Sequence, residues 1–182
     1  MAHEFTTSYV KDSLDLFKHY KRIVEQAIAQ TPDAGLTATL DPESNSIAVI
    51  VKHMAGNMRS RWTDFLTSDG EKPDRQRDAE FEAAPQTREQ ILALWEASWK
   101  YVFDALTPLT DADANRTVMI RNEPHSVMQA INRQIAHYSY HMGQIIYLAK
   151  HFAGKDWKAV TIPRGKSTEF TAQVAAGKLS QR

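Results

Sequence analysis

The sequence contains no cysteine, which excludes disulfides, iron–sulfur clusters, thiolate-bound zinc and a cysteine nucleophile. It has no excess charge of either sign, with 22 Lys plus Arg against 22 Asp plus Glu. That balance speaks against a nucleic-acid footprint or a polybasic membrane patch, so neither partner is expected. No apolar run approaches the roughly 20 residues of a membrane span, and the polar N-terminus does not read as a signal peptide. A cytoplasmic protein is the expectation. With 182 residues and 42% hydrophobic content, the chain is long enough to bury a full core.

What is present is helical periodicity. Phe5, Tyr9, Leu16, Phe17, Tyr20, Ile23, Val24, Ala27 and Ile28 recur at spacings of three and four. They predict an amphipathic helix over 4–30, ended by Thr31-Pro32, with its aromatics in the core. His19 falls off that stripe, and His3 lies in a terminus expected to fray. Residues 31–44 carry Pro32, Pro42 and Gly35 without a period, and read as a linker. Ser44 or Asn45 can cap a second helix. Its inward positions are Ile47, Ile50, Met54, Met58 and Phe65, and it fades near 68–70. His53 sits on the edge of that face, while Asn57 and Arg61 lie along its centre. Polar groups facing a core need partners. Either Arg61 snorkels out at the bundle end and Asn57 bonds a neighbouring backbone, or both line a polar pocket.

Residues 69–86 form a charged connection, long for a compact domain, of the kind that crosses a bundle end or covers a site. Thr87 with Gln90 has the form of a capping box. The third helix that follows is striped by Ile91, Leu94, Trp95, Ser98, Trp99, Val102, Ala105 and Leu106, and ends at Thr107-Pro108. The tryptophans belong to the core, with one open to walling a pocket. The run 116–121 is β-favouring and Asn122-Glu123-Pro124 reads as a turn, predicting a strand or small hairpin before the last helix. His125 is expected to be structural or exposed.

The last helix spans Ser126 to Gly154, with glycine as its C-terminal stop. At 100° per residue, Val127, Ala130, Gln134, His137, His141, Ile145, Leu148 and Phe152 form one stripe. Its two histidines, four apart, have roots about 6 Å from each other, close enough to share a metal ion. His53 is the other histidine predicted to face the core from mid-helix. Three imidazoles from two helices make an open ligand set that leaves positions for water or substrate. Di-iron chemistry would need Glu-x-x-His pairs, and a metalloprotease motif would need a glutamate where Tyr138 stands. Asp64, on the outer side of its helix, offers no fourth ligand. After Gly154 the tail 155–182 has weak pattern; Trp157, Val160 and Ile162 are candidates to dock back, with a loose end. Gly165-Lys166-Ser167 is rejected as a phosphate loop because Val160 replaces the required glycine.

Asn45-Ser46-Ile47 opening a helix, His53 near its second turn, and the late His137-x-x-x-His141-x-x-Gln144 helix resemble the DinB-like superfamily. Within it the chain is most similar to a branch of unknown function, over residues 4–154. The resemblance implies an all-α four-helix bundle with long crossover connections over 1–154. It also implies a dimer, and a nickel or zinc ion on His53, His137 and His141. Some relatives transfer a low-molecular-weight thiol such as bacillithiol or mycothiol, or are isomerases dependent on one. The expectation is a metal-dependent enzyme with thiol transferase-like chemistry on a small electrophile. A metal-dependent hydrolase and a stress-related binding or scaffold protein with a structural metal are the alternatives. Gln144, Arg61 and Asn57 are the catalytic candidates, with Gln134 and Tyr140 further ones. Arg61 is suited to a substrate carboxylate or phosphate.

Overall fold

The computed structural model describes residues 5–180, so the expectation for His3 lies outside the described residues. Among the described residues four long helices carry the fold: α1 (Tyr9–Gln30), α3 (Ile47–Trp62), α4 (Arg88–Leu106) and α5 (Val127–Ala153). A short α2 (Asp33–Thr37), a hairpin of β1 (Thr117–Ile120) and β2 (Glu123–Ser126), and α6 (Ser167–Ala175) complete it. α3 packs on α4 and α5, and α1 packs on α5 and α4, closing an all-α bundle in the order α1, α4, α3, α5. The links α1–α3 and α4–α5 therefore cross the bundle end diagonally.

Helix ends are set by local chemistry. The Ser8 hydroxyl accepts from Lys11 N and the Ser46 hydroxyl from Val49 N. Thr87 with Gln90 and Ser126 with Gln129 form complete capping boxes, each satisfying two of the backbone donors a helix start leaves free. Gly154, at φ 57°, ends α5. The core gathers Phe17, Met54, Met58, Trp95, Trp99 and Tyr138, all essentially inaccessible. Both tryptophans are core; Trp99 meets Phe17, Phe103 and Tyr138 edge-on or tilted or stacked. Neither walls the cavity described below.

Several expectations are corrected. Phe5 is 85% exposed, because α1 starts only after the Ser8 cap. α3 ends at Trp62 rather than near 68–70, where Asp64 takes a positive φ of 49°; Phe65 still reaches the core from the following turn. The linker 31–44 contains α2. The hairpin turn is Arg121-Asn122, with φ of 56° and 62°, one position earlier than read. The tail docks through Trp157 and Val160, and its end forms α6, which buries no residue.

The hairpin is tied to the charged link. Asp69 accepts from Arg121 N and Asn122 N at 2.8 and 2.7 Å, and Gly70 N donates to Met119 O at 2.8 Å. This carboxylate holds a left-handed turn whose backbone donors would otherwise face solvent.

Candidate metal centre

α3 and α5 are neighbours, and their facing edges carry the histidines. His53 Nε2 lies 3.4 Å from His137 Nε2, and His141 Nε2 lies 3.1 Å from the same atom. One nitrogen from each ring falls within 4.8 Å of the others. Among the described residues no fourth His, Asp or Glu joins the group.

The partners of the outer nitrogens decide what these contacts mean. His53 Nδ1 is 2.9 Å from Glu80 Oε2. Burial raises the Glu80 pKa, but the bonds from His53 and Arg75 outweigh it and leave the carboxyl below its ordinary range. An ionised carboxylate only accepts, so His53 carries a proton on Nδ1, and as a neutral ring it presents a bare Nε2. His141 Nδ1 meets Gln144 Oε1 at 2.8 Å while Gln144 Nε2 donates to the Tyr140 hydroxyl. His141 thus also presents a bare Nε2. His137 can offer one proton on Nε2 to two lone pairs, or none. Protonating His137 is disfavoured: burial, then His141 and His53, push its pKa down to about 3. Burial likewise lowers His141, with Gln144 opposing. The donor set fits a divalent cation, since imidazole nitrogens about 2.1 Å from zinc at tetrahedral angles would be spaced near these distances.

Glu80 and Arg75 were not found from the sequence. Glu80 sits on a 3-10 turn, Asp78–Phe81, inside the charged link, so the link does cover the site. Lys52 Nζ donates to Ala79 O and Ala83 O and clamps that turn onto α3. Arg75 grips Glu80 through Nε and Nη2 at 2.8 and 2.9 Å. Phe81 stacks on the His53 ring, centroids 4.7 Å apart. A glycine makes the approach possible: a Cβ on Gly56 would stand 2.6 Å from Glu80 Cδ. The only sequence signal was the length and charge of an aperiodic link.

A family described as protein of unknown function (DUF1572) matches residues 4–166. The chain belongs to that family. The DUF1572 match extends past the expected limit of 154 into the tail. The crystal structure of a DinB-like protein from Bacillus cereus resembles this fold with a TM-score of 0.63 at 13% identity, over 81% of this chain and 94% of that one. At that identity the likeness shows the fold alone, and the fold is DinB-like. No curated protein matches the sequence. No helix of the described residues is long and apolar enough to cross a membrane.

Of the remaining candidates, Asn57, Arg61 and Gln134 line one cavity beside the histidines, and Gln144 and Tyr140 do not. Gln144 holds His141. Asn57, 5% exposed, accepts from the Tyr138 hydroxyl at 3.2 Å, which itself accepts from Trp62 Nε1 at 2.9 Å. It bonds a side chain rather than the backbone. Arg61 is 3% exposed, so it does not snorkel out. Tyr140 is 63% exposed. On α5 the centre of the buried face is Tyr138, flanked by Gln134 and Met142. His137 and His141 are half-buried at its edge rather than in its middle.

Proposed function

We propose that this protein is a metal-dependent enzyme in which His53, His137 and His141 hold one divalent ion, nickel or zinc. One observation carries the reading: three imidazole Nε2 atoms converge while the outer nitrogens of His53 and His141 face acceptors, so the neutral rings have at most one proton among those three atoms. A hydrogen-bonded trio of structural histidines would need a second donor; a cation satisfies all three lone pairs. Three protein ligands leave coordination open, which favours a reacting site over a closed structural one.

When bound, such an ion lowers the pKa of a thiol or water that joins it, giving a nucleophile at neutral pH. Glu80 and Gln144 are positioning residues that fix the His53 and His141 rings. Asn57 holds Tyr138 and so the spacing of α3 and α5, while Arg61 addresses the substrate. A small electrophile as substrate, a low-molecular-weight thiol as cosubstrate and a homodimeric, cytoplasmic enzyme complete the proposal, supported by the DinB-like fold. The test is metal content by mass spectrometry on untagged protein purified without chelator, beside a His53→Ala/His137→Ala/His141→Ala variant. Near-stoichiometric nickel or zinc in the wild type, lost in the variant, is expected. A wild type that takes up neither ion after incubation refutes the reading.

A further inference from the structure

Beside the histidines lies a cavity of about 410 Å³, and His53 and His137 form part of its wall. Five arginines line it: Arg61, Arg75, Arg77, Arg121 and Arg133. Three carboxylates stand near them, and each is already engaged. Glu80 holds His53 and Arg75. Asp69 accepts the backbone donors of the hairpin turn. Glu71 is shared between Arg75, Arg121 at 3.1 Å, and Arg61 at 3.8 Å. Among the described residues, Arg77 and Arg133 have no carboxylate partner, and Arg77 only overlies the Phe81 ring at 5.6 Å. The cavity therefore carries a surplus of positive charge in a protein whose overall charge is zero.

Arg61 is the decisive residue. It is 3% exposed, yet Nε and Nη1 have no hydrogen-bond partner. Burying guanidinium donors without acceptors is costly, and the 3.8 Å contact to Glu71 is beyond hydrogen-bond distance. Gln134, 1% exposed, lines the same cavity with Oε1 also unpartnered. Both side chains line the cavity, so a ligand there bearing an anionic group and a hydroxyl or N–H would meet a buried cation and an amide whose polar groups the protein leaves partly unpaired.

We infer that this cavity binds the anionic group, phosphoryl or carboxylate, of a multiply charged substrate, with Arg61 and Arg133 as its principal ligands and the reacting atom placed toward the histidines. The inference deepens the proposed function and rests on it for which end of the substrate reacts. Planar guanidinium forks suit both oxyanions, and a volume of this size admits a small metabolite rather than a macromolecule.

The test is calorimetric titration at low ionic strength with inorganic phosphate and, separately, malonate. The proteins are the wild type, Arg61→Gln, Arg133→Gln, the triple-histidine variant, and Arg22→Gln on the outer face of α1 as control. One-to-one binding with Kd below about 10 mM is expected for at least one probe. The tighter probe identifies the phosphoryl or the carboxylate source. Arg133→Gln, at an exposed position where folding is not at stake, is expected to weaken binding about tenfold, and Arg22→Gln to leave it unchanged. Binding is expected to persist in the triple-histidine variant, even if the wild type proves metal-free, so this inference and the metal reading fail separately. No saturable binding of either probe, equal binding by Arg133→Gln, or binding only to the metal-loaded wild type would overturn it.

Discussion

Replacing Glu80 by glutamine isolates the contribution of one carboxylate to the centre. Its Oε2 accepts from His53 Nδ1 and Arg75 Nη2, both at 2.9 Å, and its Oε1 accepts from Arg75 Nε at 2.8 Å. A glutamine has one accepting oxygen, so that oxygen takes the position with two donors. Its amide nitrogen then faces the Arg75 N–H. One charge-assisted bond is lost around a guanidinium that is 3% exposed, costing about 1.5–3 kcal/mol of stability. The His53 bond survives, weakened by loss of the negative charge. Metal affinity is therefore expected to fall about tenfold, the lower end of what a ligand's hydrogen-bond partner contributes. Glu80→Ala removes all three bonds, frees the His53 tautomer, and is expected to approach 100-fold. Competition with a chromogenic chelator measures affinity, and denaturant melts measure stability. If both variants bind nickel and zinc within about twofold of wild type while His53→Ala abolishes binding, the carboxylate does not tune His53 and the tautomer argument fails.

Gly56→Ala is expected to push Glu80 off His53, lowering metal affinity about tenfold although alanine improves helix propensity by about 1 kcal/mol; unchanged affinity in the same chelator competition would contradict the close approach. Tyr138→Phe strands the Trp62 N–H and the Asn57 carbonyl in the core, so a stability loss of about 2–3 kcal/mol is expected in denaturant melts with metal affinity nearly unchanged; no loss would mean that chain of bonds is not formed. The metal-free protein is expected to lose stability on acidification. His137 has a folded pKa of about 3 against an ordinary 6.5. Its contribution is therefore full above about 6.5 and is lost as pH falls toward 3, at up to about 1.4 kcal/mol per pH unit. His137→Ala flattens that slope in melts across the range; an equal slope in both proteins would refute the assignment.

The parts of this fold that were legible are those whose causes are local. Thr87 with Gln90 announces a helix start because both halves of the capping box lie within one turn. The core stripes of α3 and α4 follow from spacings of three and four, and Gly154 stops α5 at the expected place. The histidine trio was legible because each member sits in a long periodic helix. Glu80 and Arg75 were not, since nothing in the aperiodic stretch 69–86 says which of its charged residues turns inward. Only the pairing of α3 with that link, through Lys52 and the space left at Gly56, selects them. Arg61 was placed on the right face, but its burial depends on the hairpin and the link closing over it.

The one-position error on α5 has a functional consequence. A wheel at 100° put His137 and His141 at the centre of the buried face, where Tyr138 stands instead, fully buried and bonded to Trp62 and Asn57. A histidine pair at that centre would be sealed among Phe17, Trp62 and Trp99, the rings that surround Tyr138. A metal there could only staple helices together. At the edge, the same i, i+4 pair still reaches His53, and His137 borders a cavity with arginines on its wall. Core packing is thus delegated to the intervening tyrosine, and the proposed ligands stand at the edge of the core rather than inside it. That division of labour is what an open three-histidine site requires, and it predicts that a bulkier residue at Ala136, which lines the cavity beside His137, will obstruct phosphate or malonate binding before it affects metal affinity. Calorimetry on Ala136→Phe beside the chelator competition decides it: equal loss of both would place the cavity and the histidines in one inseparable core.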